Sequence, residues 1–388
     1  MRLTRADWVH LLILWLGGVD MRMTMLAVPP LIPLIHRDLH LDEKAVGVLV
    51  SMPVLVLASA AVPGSLLIAK LGVRGALITG LGCIAVFGAL RGLGPSTPMI
   101  FAATFVMGTG IAVSQPAFPS IVREWFPRRI AIATAAYSNG VLIGETLPTA
   151  LTSPVGALQV AHGDWRWAIA FWSIPVVASA CAIAFFAPSR ARGPALASRW
   201  WPDWRNTDTL RIGLVMGMAS AVYFAANAYI PDFLDQSGRH GLITPMLALL
   251  NGAQLLTAPA VALWERLASG RLGFIASGAV MAAAQVGIVL TPGPFIVFWG
   301  AMLGFAAALA FIVALSLPAR IAAAGDVHRM SAAIFTVQYG TAFVLPFIAG
   351  ALWDATGHAV AAFVPGFAAA AAMIWLAFTL RLSGSQTG

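Results

Sequence analysis

Twelve apolar stretches, each long enough to cross a bilayer, punctuate this chain, and that repetition leaves it few folds. A spanning helix needs about 20 consecutive apolar residues, because backbone groups in hydrocarbon must be satisfied internally. Such stretches lie near residues 8–35, 44–68, 75–94, 98–122, 130–153 and 167–188, and again near 209–231, 243–264, 272–291, 294–318, 330–352 and 359–381. The chain is 60% hydrophobic and 10% charged, where a soluble domain carries about 25% charged residues. The expected fold class is an all-α membrane protein of twelve transmembrane helices in two six-helix halves. The halves are expected over 1–188 and 209–388, joined by a polar, basic linker over 189–208 (SRARGPALASRWWPDWRNTD). The first stretch lacks a small-residue cleavage site and reads as a span, not a signal peptide.

The net charge of +8 is a matter of topology. Lys and Arg in short loops collect on the cytoplasmic side. With the N-terminus in the cytoplasm, that side holds Arg2, Arg5, Lys70, Arg74, Arg123, Arg128, Arg129, Arg190, Arg192, Arg199, Arg205, Arg211, Arg266, Arg271, Arg320, Arg329 and Arg381. These are 17 of the 23 basic residues. Arg37, Lys44, Arg91, Arg166 and Arg239 fall at or near the outer side, with Arg91 reaching the headgroups. Both termini are therefore expected in the cytoplasm of a cell (inner) membrane protein. No groove-reading or RNA-stacking motif accompanies the charge, which excludes nucleic acid. Trp165, Trp167, Trp200, Trp201 and Trp204 flank spans as interfacial anchors.

The halves carry traces of a repeat. Arg129 precedes Gly140 by eleven residues, and Arg329 precedes Gly340 by the same distance, with AYSNG and TVQYG at equivalent depths. Paired repeats with a midplane site describe many secondary transporters. The buried charges break the symmetry: at the 200-residue offset Glu145 corresponds to Leu345, and Arg22 falls near Phe224.

Arg22 lies near the middle of the first stretch. A charge at that depth costs several kcal/mol and faces a protein interior or a water-filled path. Its planar fork of donors suits a carboxylate or similar anion. It is the candidate substrate anchor, the alternative being a structural ion pair. Glu145, midway along the fifth stretch, is the candidate proton carrier or resting partner of Arg22. Asp20 is a second candidate for proton coupling. Two residues from Arg22 on a helix, it points about 200° away, so it is expected to bond within its own half, near Thr24. Gln115 in the fourth stretch, Tyr223, Asn227, Asn251 and Gln254 in the seventh and eighth, and Gln338 and Tyr339 in the eleventh are neutral polar groups at membrane depth. Such groups need partners, either solute or a neighbouring helix; Tyr223 and Gln338 are the preferred pair. Gln285 reads as structural.

Four segments resemble the major facilitator superfamily, and within it the cyanate permease / 2-nitroimidazole transporter (CynX/NimT) family. They are DMRMTMLAVPPLIPLI (20–35), GVLVSMPVLVLASAAVPGSLLIAKLGVR (47–74), QPAFPSIVREWFPRRIA (115–131) and SAAIFTVQYGTAFVLPFIAGALWDATG (331–357). Asp20 stands where that family's first-helix pattern has Asn, and Met23 where it has Pro. The superfamily motif between the second and third helices appears as Ser65, Ala69, Lys70, Gly72 and Arg74, without its acid. The resemblance implies the major facilitator fold, alternating access by a monomer, and a central cavity lined by helices one and five, where Arg22 and Glu145 could meet. It also implies a cytoplasmic gate, to which Lys70, Arg74, Arg123 and Arg128 are assigned.

The expected cargo is one small anionic or polar organic molecule, with protons as a coupling ion. Copper transport is the alternative, resting on Met21, Met23 and Met25 in the first span and Met216 and Met218 in the seventh, since thioethers suit Cu(I). A non-transporting receptor is the alternative of another class. No HExxH, P-loop or nucleophile elbow is present, so neither an enzyme, a cofactor nor an ATP-driven pump is expected. His10 and His358 read as isolated, and Cys83 and Cys181 as free buried thiols.

Overall fold

The computed structural model describes residues 4–28, 31–40, 43–93, 96–151, 164–186, 200–264, 270–323 and 325–380. Six of the basic residues assigned to the cytoplasmic side (Arg2, Arg190, Arg192, Arg199, Arg266 and Arg381), the linker over 189–199 and the side chains of Arg37 and Lys44 lie outside that description.

Regular structure among the described residues is entirely helical. The helices are α1 (Arg5–Leu26), α2 (Ile32–Leu39), α3 (Glu43–Leu93), α4 (Thr97–Ser114), α5 (Ala117–Trp125), α6 (Ile130–Leu151), α7 (Trp165–Phe171), α8 (Ser173–Phe186), α9 (Thr207–Gln236), α10 (Ile243–Gly252), α11 (Thr257–Leu263), α12 (Arg271–Leu290), α13 (Ile296–Ile321), α14 (Val327–Thr356) and α15 (Phe363–Thr379). Ten helical segments are long and apolar enough to cross a membrane. One of them, Met52–Leu93, is two helices joined at Gly72, whose φ of 75° is left-handed and open to glycine. Helix α6, diluted by Ser138, Asn139 and Glu145, is the twelfth span.

Several expected spans are broken where the sequence places proline. The first ends at Leu26 and resumes as α2, with Pro29 and Pro30 between. The fourth divides at Gln115–Pro116 into α4 and α5, and the sixth divides at Trp172, before Pro175. Proline lacks the amide that would continue the hydrogen-bond ladder. The eighth runs as α10, a 3₁₀ turn (Ala253–Leu256) and α11.

The chain separates into two compact units: Met1–Pro202 with Ala323–Ala332, and Asp203–Ala322 with Ala333–Gly388. In the first, α1 and α6 run parallel in backbone contact. A Cβ at Gly140 would collide with the carbonyl of Trp15, one at Gly144 with that of Val19, and one at Gly18 with that of Tyr137. Small residues spaced four apart permit this approach between membrane helices. At one end of this unit, Val28, Leu31 and Ile35 pack with Leu49, Ile100, Ile169 and Trp172. Asp38 accepts from Trp165 Nε1 at 2.9 Å and pairs with Arg166 at 3.4 Å, and the Arg166 guanidinium lies 4.5 Å over the Trp165 ring.

In the second unit the close glycines of the equivalent seam fall at other positions. Gly213 and Gly217 of α9 lie against Val337, Gln338 and Thr341 of α14, while Gly340 has open space around it. Large apolar side chains point outward in both units, among them Phe185, Leu263, Phe347 and Trp375. Exposure of that extent marks the surface that lipid covers.

Three expectations are corrected here. Trp165 is 2% exposed and packed in the core, because its indole serves Asp38. Arg91 is also 2% exposed, donating to the Thr24 carbonyl at 3.0 Å and to Met107 Sδ at 2.8 Å, so it does not reach the headgroups. Cys181 is exposed on the outer face of α8 and Cys83 is half-buried; both are free. The His10 ring packs 4.6 Å from that of Trp125, and among the described residues it joins no group that could hold a metal.

Candidate functional site

The α1–α6 seam sets the site. Going along the two parallel helices, Trp15 Nε1 donates to Asn139 Oδ1 at 3.0 Å. Next come the glycine contacts at Gly18, Gly140 and Gly144. One turn beyond Gly18, Arg22 Nε meets Glu145 Oε1 at 3.3 Å. Gly144 brings the backbones together and Glu145 follows it directly, so the ion pair is a consequence of the helix register. Arg22 is 5% exposed and the Glu145 carboxylate side is more open, at 21%. Met25, a turn further on α1, has its sulfur 3.9 Å from Arg22 Nη1. Two opposite charges at membrane depth, held by packed helices, answer the cost of each.

Asp20 faces elsewhere, as its spacing requires. It is 1% exposed, hydrogen-bonded to the Ser179 hydroxyl of α8, and its Oδ2 has no partner among the described residues. The expected partner Thr24 is instead found with its own hydroxyl unpaired among the described residues and its carbonyl accepting from Arg91. The first unit thus buries a second set of charged groups, Asp20 and Arg91, flanking Thr24 on α1. Gln115, 2% exposed, sits at the α4–α5 junction. Beyond it Phe118 stacks on Tyr137 at 4.5 Å and fills the space over Gly17.

In the second unit, Tyr223, Asn227, Asn251 and Gln254 form one network. The Tyr223 hydroxyl donates to Asn251 Oδ1. Asn251 Nδ2 donates to Asn227 Oδ1 at 3.0 Å and to the Leu247 carbonyl at 2.8 Å, and Asn227 donates to the Tyr223 carbonyl at 3.0 Å. Gln254 Nε2 reaches Asn251 Oδ1 at 3.5 Å. Gln338 Nε2 bonds the Ser220 hydroxyl at 2.9 Å, and its Oε1 has no partner among the described residues. Ser220, Tyr223 and Asn227 lie at i, i+3 and i+7, on one face of α9. Tyr339 is buried against Phe335. Gln285 donates to the Met281 carbonyl at 3.4 Å and fills the space over Gly366.

Of the residues assigned to a gate, Arg74 donates to the carbonyl of Ala184 near the end of α8. Arg123 is half-buried in the last turn of α5, and Lys70 and Arg128 are exposed. Ser65, fully buried, donates to the Trp200 carbonyl at 2.8 Å, and Arg329 Nε donates to the Trp201 carbonyl at 2.9 Å. Sequence reasoning missed Ser179, Ser220 and Arg91. A serine in an apolar helix gives no signal of its own, and Arg91 was disguised by standing at the end of its stretch.

Comparison with known proteins agrees with this architecture. The chain is 25% identical over 366 residues to the cyanate transport protein CynX of Escherichia coli (strain K12), covering 90% of this chain and 91% of that protein. It is 25% identical over 352 residues to the 2-nitroimidazole transporter of the same strain, covering 88% and 87%. Its fold superposes on the proton:xylose symporter XylE with a TM-score of 0.73 at 14% identity, covering 96% of each chain. The sequence model of the Major Facilitator Superfamily matches residues 14–273, and with that match over most of its length the chain belongs to the major facilitator superfamily.

Proposed function

We propose that this chain is a secondary active transporter of the cell inner membrane that moves a small anionic or polar organic solute by alternating access. The observation that carries the reading is the Arg22–Glu145 pair at 3.3 Å. An arginine cannot shed its charge, and a carboxylate beside it is a built-in competitor for the same donors. An incoming anion takes the guanidinium fork from Glu145, and the released carboxylate is relieved of its own buried charge by taking up a proton. Substrate and proton then cross together, as symport. The similarity to proteins named for cyanate and for 2-nitroimidazole supports a small cargo.

Gln115 in the first unit, and Tyr223, Asn227, Asn251, Gln254, Gln338 and Tyr339 in the second, are polar contacts for the solute in their own units. Asp20, buried with one free oxygen, is a second proton site. Lys70, Arg74, Arg123 and Arg128 serve the cytoplasmic gate. The chain acts as a monomer, with both termini cytoplasmic.

The test is uptake into proteoliposomes of cyanate and a series of small carboxylates, with and without an inward proton gradient. The wild type accumulates at least one of them and more so with the gradient. Arg22→Gln loses uptake, and Glu145→Gln loses the response to the gradient. Full gradient-driven uptake by Glu145→Gln would remove the coupling role.

A further inference from the structure

Away from the charged seam, the second unit has a polar cleft of about 580 Å³ lined by Thr207, Asp208, Arg211, Arg271, Phe378 and Thr379. It lies where α9 and α12 begin and α15 ends, so three helix termini meet at one face of the unit. Arg211 Nη1 donates to the Thr379 carbonyl at 3.1 Å and to Asp208 Oδ1 at 3.4 Å. Both bonds use one nitrogen; Nε and Nη2 have no acceptor among the described residues. Arg271 is exposed and has no ion-pair or hydrogen-bond partner among the described residues. Among the described residues, Asp208 offsets one of the two guanidinium charges and leaves the cleft positive.

The two helix starts differ. At α9, Asn206 Oδ1 accepts from the amides of Asp208 and Thr209 at 3.1 and 3.2 Å, so that end is capped. At α12, Gly270 stands at φ 89° and supplies no side chain, leaving the amides around Arg271 without a side-chain acceptor. A helix start of this kind adds to the pull of the arginines on an anion. Beside the charged groups the wall turns apolar and outward: Phe378 is 62% exposed, and Leu272, next to Arg271, is 68% exposed. A polar mouth with unfilled guanidinium donors next to an outward apolar wall matches an amphiphile with an anionic head.

The geometry points to this cleft as a binding site for a phosphate oxyanion carried by the headgroup of an anionic phospholipid. The phosphate oxygens take the free Arg211 and Arg271 donors in the forked manner that guanidinium groups favour, and the acyl chains lie along Phe378 and Leu272. Basic pockets between spanning helices at the cytoplasmic surface are suited to such headgroups.

The test uses the purified full chain with phosphatidylglycerol, with phosphatidylcholine as zwitterionic control and with millimolar inorganic phosphate. The readouts are native mass spectrometry for retained lipid and the thermal unfolding midpoint. Arg271→Gln is the informative variant, since Arg211 also ties down the end of α15. The expected result is preferential retention of phosphatidylglycerol, weakened about fivefold in Arg271→Gln, the worth of one arginine near an anionic surface. Equal retention by wild type and Arg271→Gln, or phosphatidylcholine held as strongly as phosphatidylglycerol, overturns the assignment. A midpoint raised by inorganic phosphate in the wild type but not in Arg271→Gln, with no lipid retained, assigns the oxyanion to free phosphate and overturns the lipid source.

Discussion

Arg22 and Glu145 illustrate how strongly one buried charge constrains its surroundings. A guanidinium at membrane depth needs a counter-charge, and the sequence leaves Glu145 open as proton carrier or as that counter-charge; the packing of α1 on α6 brings the two groups to 3.3 Å. The same logic misplaced Arg91, because a basic residue at the end of an apolar stretch is as easily read at the headgroups as in the core. Only the packing of α3 against α1 and α4 decides between them. The ion pair makes a stability prediction that is separate from transport. Replacing Glu145 alone by Gln removes the carboxylate that faces a mostly buried guanidinium and should destabilise the protein by about 3 kcal/mol. The double change Arg22→Gln with Glu145→Gln should recover most of that loss. A double-mutant cycle from chemical unfolding in detergent reads the coupling, and strictly additive single changes would show that the two groups do not depend on each other.

Between elements, the α1–α6 seam and its α9–α14 counterpart both rely on close glycines, but at different positions. A side chain at Gly140 would meet the Trp15 carbonyl, whereas Gly340, at the equivalent sequence position, faces open space. Gly140→Leu is therefore expected to part α1 from α6, cost on the order of 2 kcal/mol or more through overpacking, and abolish uptake by moving Glu145 off Arg22. Gly340→Ala should be neutral or slightly stabilising, since alanine gains up to about 1 kcal/mol over glycine inside a helix. Parallel thermal midpoints for the two variants check this, and equal losses would contradict it. The number and order of spans were legible from apolar length alone, and the sequence repeat around Gly140 and Gly340 pointed to related halves. Which face of each helix is buried was not. A span apolar on every side carries no periodic signal separating lipid from protein, which is why Trp165 reads as an interfacial anchor while it packs under Asp38. Breaks within spans were readable only in hindsight, from Pro29, Pro30, Pro116 and Pro175.

For the whole molecule, the distribution of 23 basic residues is the argument for orientation. Fusing a fluorescent reporter or a periplasmically active phosphatase to the C-terminus separates the alternatives. The fluorescent fusion should be bright and the phosphatase fusion silent; the reverse pattern would place the C-terminus outside and invert the assignment of every loop. Family membership makes the chain a transporter fold, and we propose that Arg22, in the charged seam of the first unit, gives that fold a preference for anionic solutes. That preference is the central claim, and binding tests it without any assumption about direction or coupling. The most direct measurement is the thermal unfolding midpoint of the purified protein across a panel of small anions, neutral analogues and cations, run in parallel on Arg22→Gln. A solute that binds the folded state raises the midpoint by mass action. The account predicts that at least one small anion stabilises the wild type and loses its effect in Arg22→Gln. Stabilisation by neutral or cationic compounds alone, or an equal response in the variant, would contradict it and leave Arg22 as a structural partner of Glu145.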